Sequence, residues 1–162
     1  MNRSDEPKKQ PVPFALNGPR EEILTTTPAG SNQASYDVGF PPVTMILKSA
    51  GGLPPKGEDF NQVFYELSSI CRWLSSGALN TFDGNFSAGI GGYPKGAALL
   101  SDAGSKIFIS TADGNTNNPN SVTTNWMDLL SFLSAAPVNS PTFTGTPKAP
   151  TAPAGTSTTQ LA

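Results

Sequence analysis

No histidine occurs anywhere in the sequence. That removes the commonest general base, the usual nucleophilic triads and most zinc sites together. There is one cysteine, Cys71. It cannot pair within a chain, and its place on an apolar helix stripe predicts a buried structural thiol. Charge is scarce, with Asp, Glu, Lys and Arg making up 14% of the chain against roughly 25% in ordinary soluble domains. The net charge of −2 leaves no electrostatic footprint for nucleic acid. Long apolar runs are missing too. None reaches the length of a membrane span, so no membrane insertion is expected, and the N-terminus lacks the apolar core of a signal peptide.

What is present is turn chemistry. Glycine and proline each number 16 among 162 residues, and Ser, Thr and Asn are plentiful. Such a chain is neither a charged disordered tail nor rich in core residues. It reads as extended, with modest apolar clusters better buried between chains than within one.

The strongest of these clusters lies between Gly57 and Gly77. Phe60, Val63, Phe64, Leu67, Ile70, Cys71 and Leu74 recur at spacings of three and four, which places them on one stripe of an α-helix over 59–76. Asp59 and Gln62 suit an N-cap and its capping-box partner, and Gly77 suits the C-terminal stop. Tyr65 and Trp73 fall off the stripe and give the helix a second apolar surface. Two arrangements would bury the main stripe: strands of the same chain, or copies of the helix meeting around a symmetry axis.

Residues 1–35 precede this helix and are irregular. Eight charged residues, four of each sign, fall within the first 22 positions. Pro7, Pro11, Pro13 and Pro19 favour extended backbone. The apolar cluster from Val12 to Leu16, centred on Phe14, suggests either a disordered leader or an arm that orders on another protein. In the next stretch, Val43–Leu47 has strand character between Pro41-Pro42 and Pro54-Pro55.

Beyond the helix, Phe82 and Phe86 fall in a loop. Ala97–Leu100 and Ser105–Thr111 predict a β-hairpin over 97–111, joined at Asp102-Ala103-Gly104. Trp126, Leu129, Leu130 and Leu133 then repeat at helical spacing behind Asn125, which predicts a short helix over 126–135. From 138 to 162 the chain is a Pro- and Thr-rich segment whose bulky residues are Phe143 and Leu161. It cannot build a core within one chain.

No motif for bond chemistry emerges. Gly89-Ile90-Gly91-Gly92 and Gly51-Gly52 lack the strand and helix context of a phosphate loop. Asp113-Gly114-Asn115 lacks the later ligands of a calcium loop. The expectation is a protein that is not an enzyme and needs no catalytic, metal or cofactor-binding residues. Tyr93, Phe108 and Trp126 around the hairpin are either core packing or an aromatic platform for sugar.

With these pieces placed, the chain resembles the N-terminal virion-attachment region of a tailed-bacteriophage tail fibre or tailspike. The residues that carry the likeness keep a fixed order. They begin with Pro13-Phe14-Ala15, Ala34-Ser35-Tyr36, Gly39-Phe40-Pro41-Pro42, Thr44-Met45, Ala50-Gly51-Gly52 and Pro54-Pro55. Arg72-Trp73-Leu74 follows in the helix, then the run Ile90 to Gly96, Asp113-Gly114-Asn115-Thr116 and Trp126. A second likeness covers the end, where Ser140 to Pro147 followed by Ala149-Pro150-Thr151 is similar to the short repeat of phage fibre shafts. The chain departs from related fibres at Gln62, where they tend to carry a glycine after the asparagine, and at Ile46-Leu47, which replaces a more polar, proline-containing stretch.

The resemblance implies an α+β fold with much extended chain and a fibrous C-terminal segment, assembled as a parallel homotrimer. Residues 1–35 would be a tail-anchoring arm, with Pro13, Phe14 and Ala15 making the anchor. Residues 36–137 would form a small attachment domain, and 138–162 the start of a shaft. Phe60, Val63, Phe64, Leu67, Ile70, Leu74 and Phe143 would line the trimer interface. The partners implied are a phage tail, baseplate or tail-tip protein and, through a distal region of a longer fibre, a host surface receptor. The protein would be made in the bacterial cytoplasm and reside in the virion tail. The alternatives are a carbohydrate-binding module using Tyr93 or Trp126, and the anchor of a polysaccharide-degrading tailspike.

Overall fold

The computed structural model describes residues 2–135 and Gly145. Among them are three α-helices and a three-stranded antiparallel sheet, a small α+β protein. The expected shaft at 138–162, including Phe143, lies outside the described residues apart from Gly145. The chain divides into two units, Met1–Ala78 and Leu79–Ala162.

The first unit is built around α1, Gly57–Ser75. Pro54-Pro55 keeps the preceding backbone extended, because a residue before proline is pushed out of the helical region. Lys56, just after the pair, is also extended at φ −78°, ψ 135°, and the helix starts at the next residue. Glu58 and Asp59 lie in the first turn, where carboxylates favour the positive end of the helix dipole. Gly77, at φ +75°, ends the helix as its position in the sequence predicts.

The expected N-cap is corrected. Asp59 sits inside the first turn rather than before it, is fully buried, and accepts a 2.7 Å hydrogen bond from the Ala34 backbone N–H. Lys56 occupies the cap position and makes no side-chain cap bond. Gln62 donates to Glu66 Oε1 at 2.7 Å instead of returning to the cap. Asp59 therefore ties a distant segment to the helix.

Val43–Leu47 is not a strand. Pro42–Met45 forms a 3-10 turn, and a second spans Lys48–Ala50. Proline at the first position suits a helical turn and withholds an N–H from any ladder. Gly52 then fits where no side chain would, since a Cβ there would lie 2.0 Å from the Ile46 carbonyl oxygen. Upstream, Ile23, Ala34 and Ser35 are buried, and Leu24 and Ser35 form an isolated parallel bridge.

The second unit holds the sheet. β1 (Ala98–Leu100), β2 (Ile107–Ser110) and β3 (Trp126–Asp128) run in the order β1-β2-β3, all antiparallel. Leu99 faces Phe108, and Ser110 faces Trp126. The expected hairpin is present with shorter strands, and Gly104 at φ +68° makes its turn. The helix expected over 126–135 divides. Its first three residues are β3, and only Leu129–Phe132 is helical, as α3. Asp128, not Asn125, caps α3 by accepting the Ser131 N–H at 3.1 Å. The Ser131 hydroxyl, with its N–H, holds the Asp128 carboxyl below the usual carboxylate range.

Phe86, expected in a loop, lies on a third short helix, α2, Gly84–Ile90, capped by Asp83. The glycine run after it has a steric origin. Gly92, at φ +95°, comes so close to Gly114 that a Cβ would lie 2.2 Å from the Gly114 carbonyl carbon. That approach lets Tyr93 and Asn115 exchange two 2.9 Å backbone hydrogen bonds. Tyr93, Leu99 and Trp126 then form the core, with Phe82, Ala97 and Phe108 packed against it.

Candidate functional site

α1 is flanked by chain on two sides and bare between them. On one side, residues 11–20 lie along the helix. The Phe14 N–H donates to Ser68 Oγ at 2.8 Å, while that hydroxyl donates to the Phe64 carbonyl at 2.6 Å. Ser68 therefore satisfies the helix and anchors the flanking strand of chain together. The Phe14 ring meets Phe64 edge-on at 5.5 Å between centroids. Arg72 donates to the Pro11 carbonyl at 3.2 Å, Asn61 to the Pro19 carbonyl at 2.9 Å, and the Arg20 guanidinium lies 3.6 Å from the centre of the Tyr65 ring.

On the other side, Ala34 reaches Asp59, and the Tyr36 hydroxyl donates to Glu66. That bond, with burial and the nearby carboxylates, raises the Tyr36 phenol above its ordinary pKa. Phe40 stacks on Phe60 at 4.5 Å between centroids. At the start of the helix, Lys56 pairs with Glu21 at 2.8 Å, which raises the lysine.

Between the flanks, Phe60, Val63, Leu67, Ile70 and Leu74 alternate in steps of three and four. That is a 3.5-residue repeat, the spacing of a helix that packs along a partner helix. Phe60 finds Phe40, and Phe64 finds Phe14, within the chain. Leu67, Ile70 and Leu74 do not have such cover and remain 54%, 59% and 64% exposed. Cys71, expected to be buried, is exposed on the same face. The cysteine would be covered only if the stripe itself were.

Pro13 is buried, Phe14 is half-exposed, and Ala15 adopts a left-handed turn at φ +50°. In this structure these three residues lie along α1 within the first unit. The sequence signal for this was weak, because the partners of Phe14 are 50 and 54 positions away in the chain. Reasoning from the sequence also missed a groove of about 620 Å³ beside the stripe. Phe14, Phe64, Leu67 and Cys71 line it, with Lys8 and Arg72 among the residues around it.

Of the two readings of Tyr93 and Trp126, core packing is the one their burial supports. Tyr93 and Trp126 are 7% and 6% exposed, too little to stack on a saccharide. Trp126 Nε1 donates to the Asn117 carbonyl at 2.7 Å, and the Tyr93 hydroxyl accepts the Asp83 N–H at 3.2 Å. Both polar ends are thus satisfied inside the unit. Buried Asn115 completes this region, with its Nδ2 donating to Ser110 Oγ and to the Asn125 carbonyl.

No group of three His, Cys, Asp or Glu residues is gathered in a metal-binding arrangement among the described residues. No described helix is long and apolar enough to cross a membrane. Compared with known protein families and with curated protein sequences, the chain matches none.

Proposed function

We propose that this chain is the proximal, N-terminal part of a trimeric phage tail fibre, and that α1 is the element through which its copies associate. The observation that carries the proposal is the bare stripe. A 19-residue helix keeps Leu67, Ile70 and Leu74 in water while its own chain covers both sides. An apolar face of that length, with a 3.5-residue repeat, is what a parallel helical assembly buries on its axis.

The attachment role follows from the resemblance in the ordered motifs from Pro13 to Trp126 and in the Thr- and Pro-rich segment after 138. The structure supplies a physical reason for two of those motifs. Gly51-Gly52 and Gly91-Gly92 stand where a positive φ or a close backbone approach requires glycine. The work of such a part is mechanical: it holds a fibre to the tail by symmetric assembly, while a distal region meets the host. The carbohydrate-module alternative loses its platform with the burial of Tyr93 and Trp126.

The test is Leu67→Asp. A carboxylate forced onto a desolvated helix axis costs several kcal/mol per copy. In the bare monomer the same position is half in water, and the change is tolerated. Sedimentation velocity at micromolar concentration should give a trimer for the unchanged chain and a folded monomer for the variant. A variant that stays trimeric removes α1 from the axis.

A further inference from the structure

We infer that, in the assembled protein, the groove between residues 7–14 and α1 of one copy receives Trp73 from the next copy. This rests on the reading of α1 as a self-association helix and assigns the contact that closes the ring. Three observations lead to it.

The first is the place of Trp73. It is 48% exposed, its carbonyl accepts from Ser76, and among the described residues its indole meets no other aromatic ring and no hydrogen-bond partner. At about 100° per residue, Trp73 and Glu66 border one edge of the stripe, while Phe64 and Cys71 border the other.

The second is the symmetry of a ring. In a parallel three-fold assembly every contact is heterologous, so one edge of each helix meets the opposite edge of its neighbour. Equal residues stand at equal heights. The groove runs along α1 from Phe64 to Ser75, so the neighbour's Trp73 falls within its length.

The third is complementarity. The groove has an apolar lining from Phe14, Phe64 and Leu67, and no carboxylate borders it, whereas Lys8 and Arg72 do. The edge that would face it carries the Trp73 indole, beside a Glu66 carboxylate that Tyr36 and Gln62 already hold. An indole is the best aromatic partner for a cation, and with Trp73 48% exposed about half of its surface is still left to bury. The flank of chain around Phe14 is thereby part of the interface between copies, and the pocket is complete only when the neighbour fills it.

The test uses Phe14→Ala, Trp73→Ala and the double variant of the full chain, with association measured by sedimentation equilibrium. Phe14 and Trp73 lie on opposite sides of one helix, so coupling between them passes through a neighbouring copy. Each single change should weaken association about tenfold or more, and the double should lose little beyond the worse single. Losses that multiply, or a Trp73→Ala chain that associates unchanged, overturn the inference.

The unmodified chain gives a second readout that needs no variant to fold. Trp126 is already buried, so acrylamide should reach almost no tryptophan emission in the trimer. An accessible fraction near half, at concentrations where the protein is trimeric, means that Trp73 is free, and overturns the inference while self-association stands. Another protein seated in the groove would leave that same signature in the purified chain. A chain monomeric at every concentration contradicts the self-association reading and this contact with it.

Discussion

The two units differ in how far each gathers its large apolar residues into a core of its own. In the second, Tyr93, Leu99 and Trp126 come together from three separate stretches and are nearly withdrawn from water. In the first, α1, the longest helix among the described residues, keeps its best apolar row exposed. The second unit closes a small core within one chain, although Leu130, Phe132 and Leu133 around α3 stay exposed, whereas the first holds a helix steady and leaves its face open. Ser68, Asp59 and Arg72 each fasten a distant piece of backbone to α1 without covering the stripe. A frame of that kind is suited to presenting the helix to something outside the chain.

Matched truncations break this comparison most sharply. Leu99→Ala opens a cavity in a closed core and should cost about 2–5 kcal/mol, independent of protein concentration. Ile70→Ala removes a side chain that a single chain leaves in water, so it should scarcely affect the monomer. Its cost should appear only where copies associate, and grow with the share of protein assembled. Thermal unfolding at two concentrations, followed by near-ultraviolet dichroism, separates the two outcomes. Equal, concentration-independent losses would mean that both units are ordinary intrachain cores.

A smaller effect sharpens the account of the second unit. Asp128→Ala removes the cap of α3 and should cost about 1 kcal/mol. The loss should vanish under acid. The Asp128 pKa is lowered in the folded state. Its contribution is therefore present above the ordinary carboxylate range and lost as pH falls through the lower folded value. Denaturant titrations of both proteins at neutral and acid pH check the crossing.

The smallest expected effect belongs to the first unit and runs the other way with pH. The Tyr36 and Lys56 pKa values are both raised by carboxylate partners, Glu66 and Glu21. The folded state holds these protons more tightly. The contribution is complete below about pH 10 and is lost as pH rises through the folded values. Tyr36→Phe should flatten the alkaline decline in the first unit and leave the second unchanged. Denaturation followed between pH 8 and 11 at low salt measures the slope.

Local signals carried part of this fold into the sequence. α1 was legible because its 3–4 repeat continues from Phe60 to Leu74 and a glycine ends it. The hairpin was legible because Gly104 marks a tight turn between two apolar runs. What failed depended on distant partners. Asp59 looks like a cap until the Ala34 N–H reaches it. Trp126 to Leu133 has helical spacing, but pairing with β2 draws Trp126–Asp128 into the sheet. Val43–Leu47 has strand composition, yet two prolines and a glycine pair fold it into turns. The candidate face was legible as a stripe. Its exposure was not, because what covers a helix is decided by backbone far away in the chain.

The central claim is that α1 is left open by its own chain because copies of the chain close it. Light scattering coupled to size exclusion tests this most directly, on the unchanged protein at micromolar concentration. The account predicts a particle of three times the 16.8 kDa chain mass, falling to a folded monomer on Leu67→Asp. A single 16.8 kDa species at every concentration would contradict it.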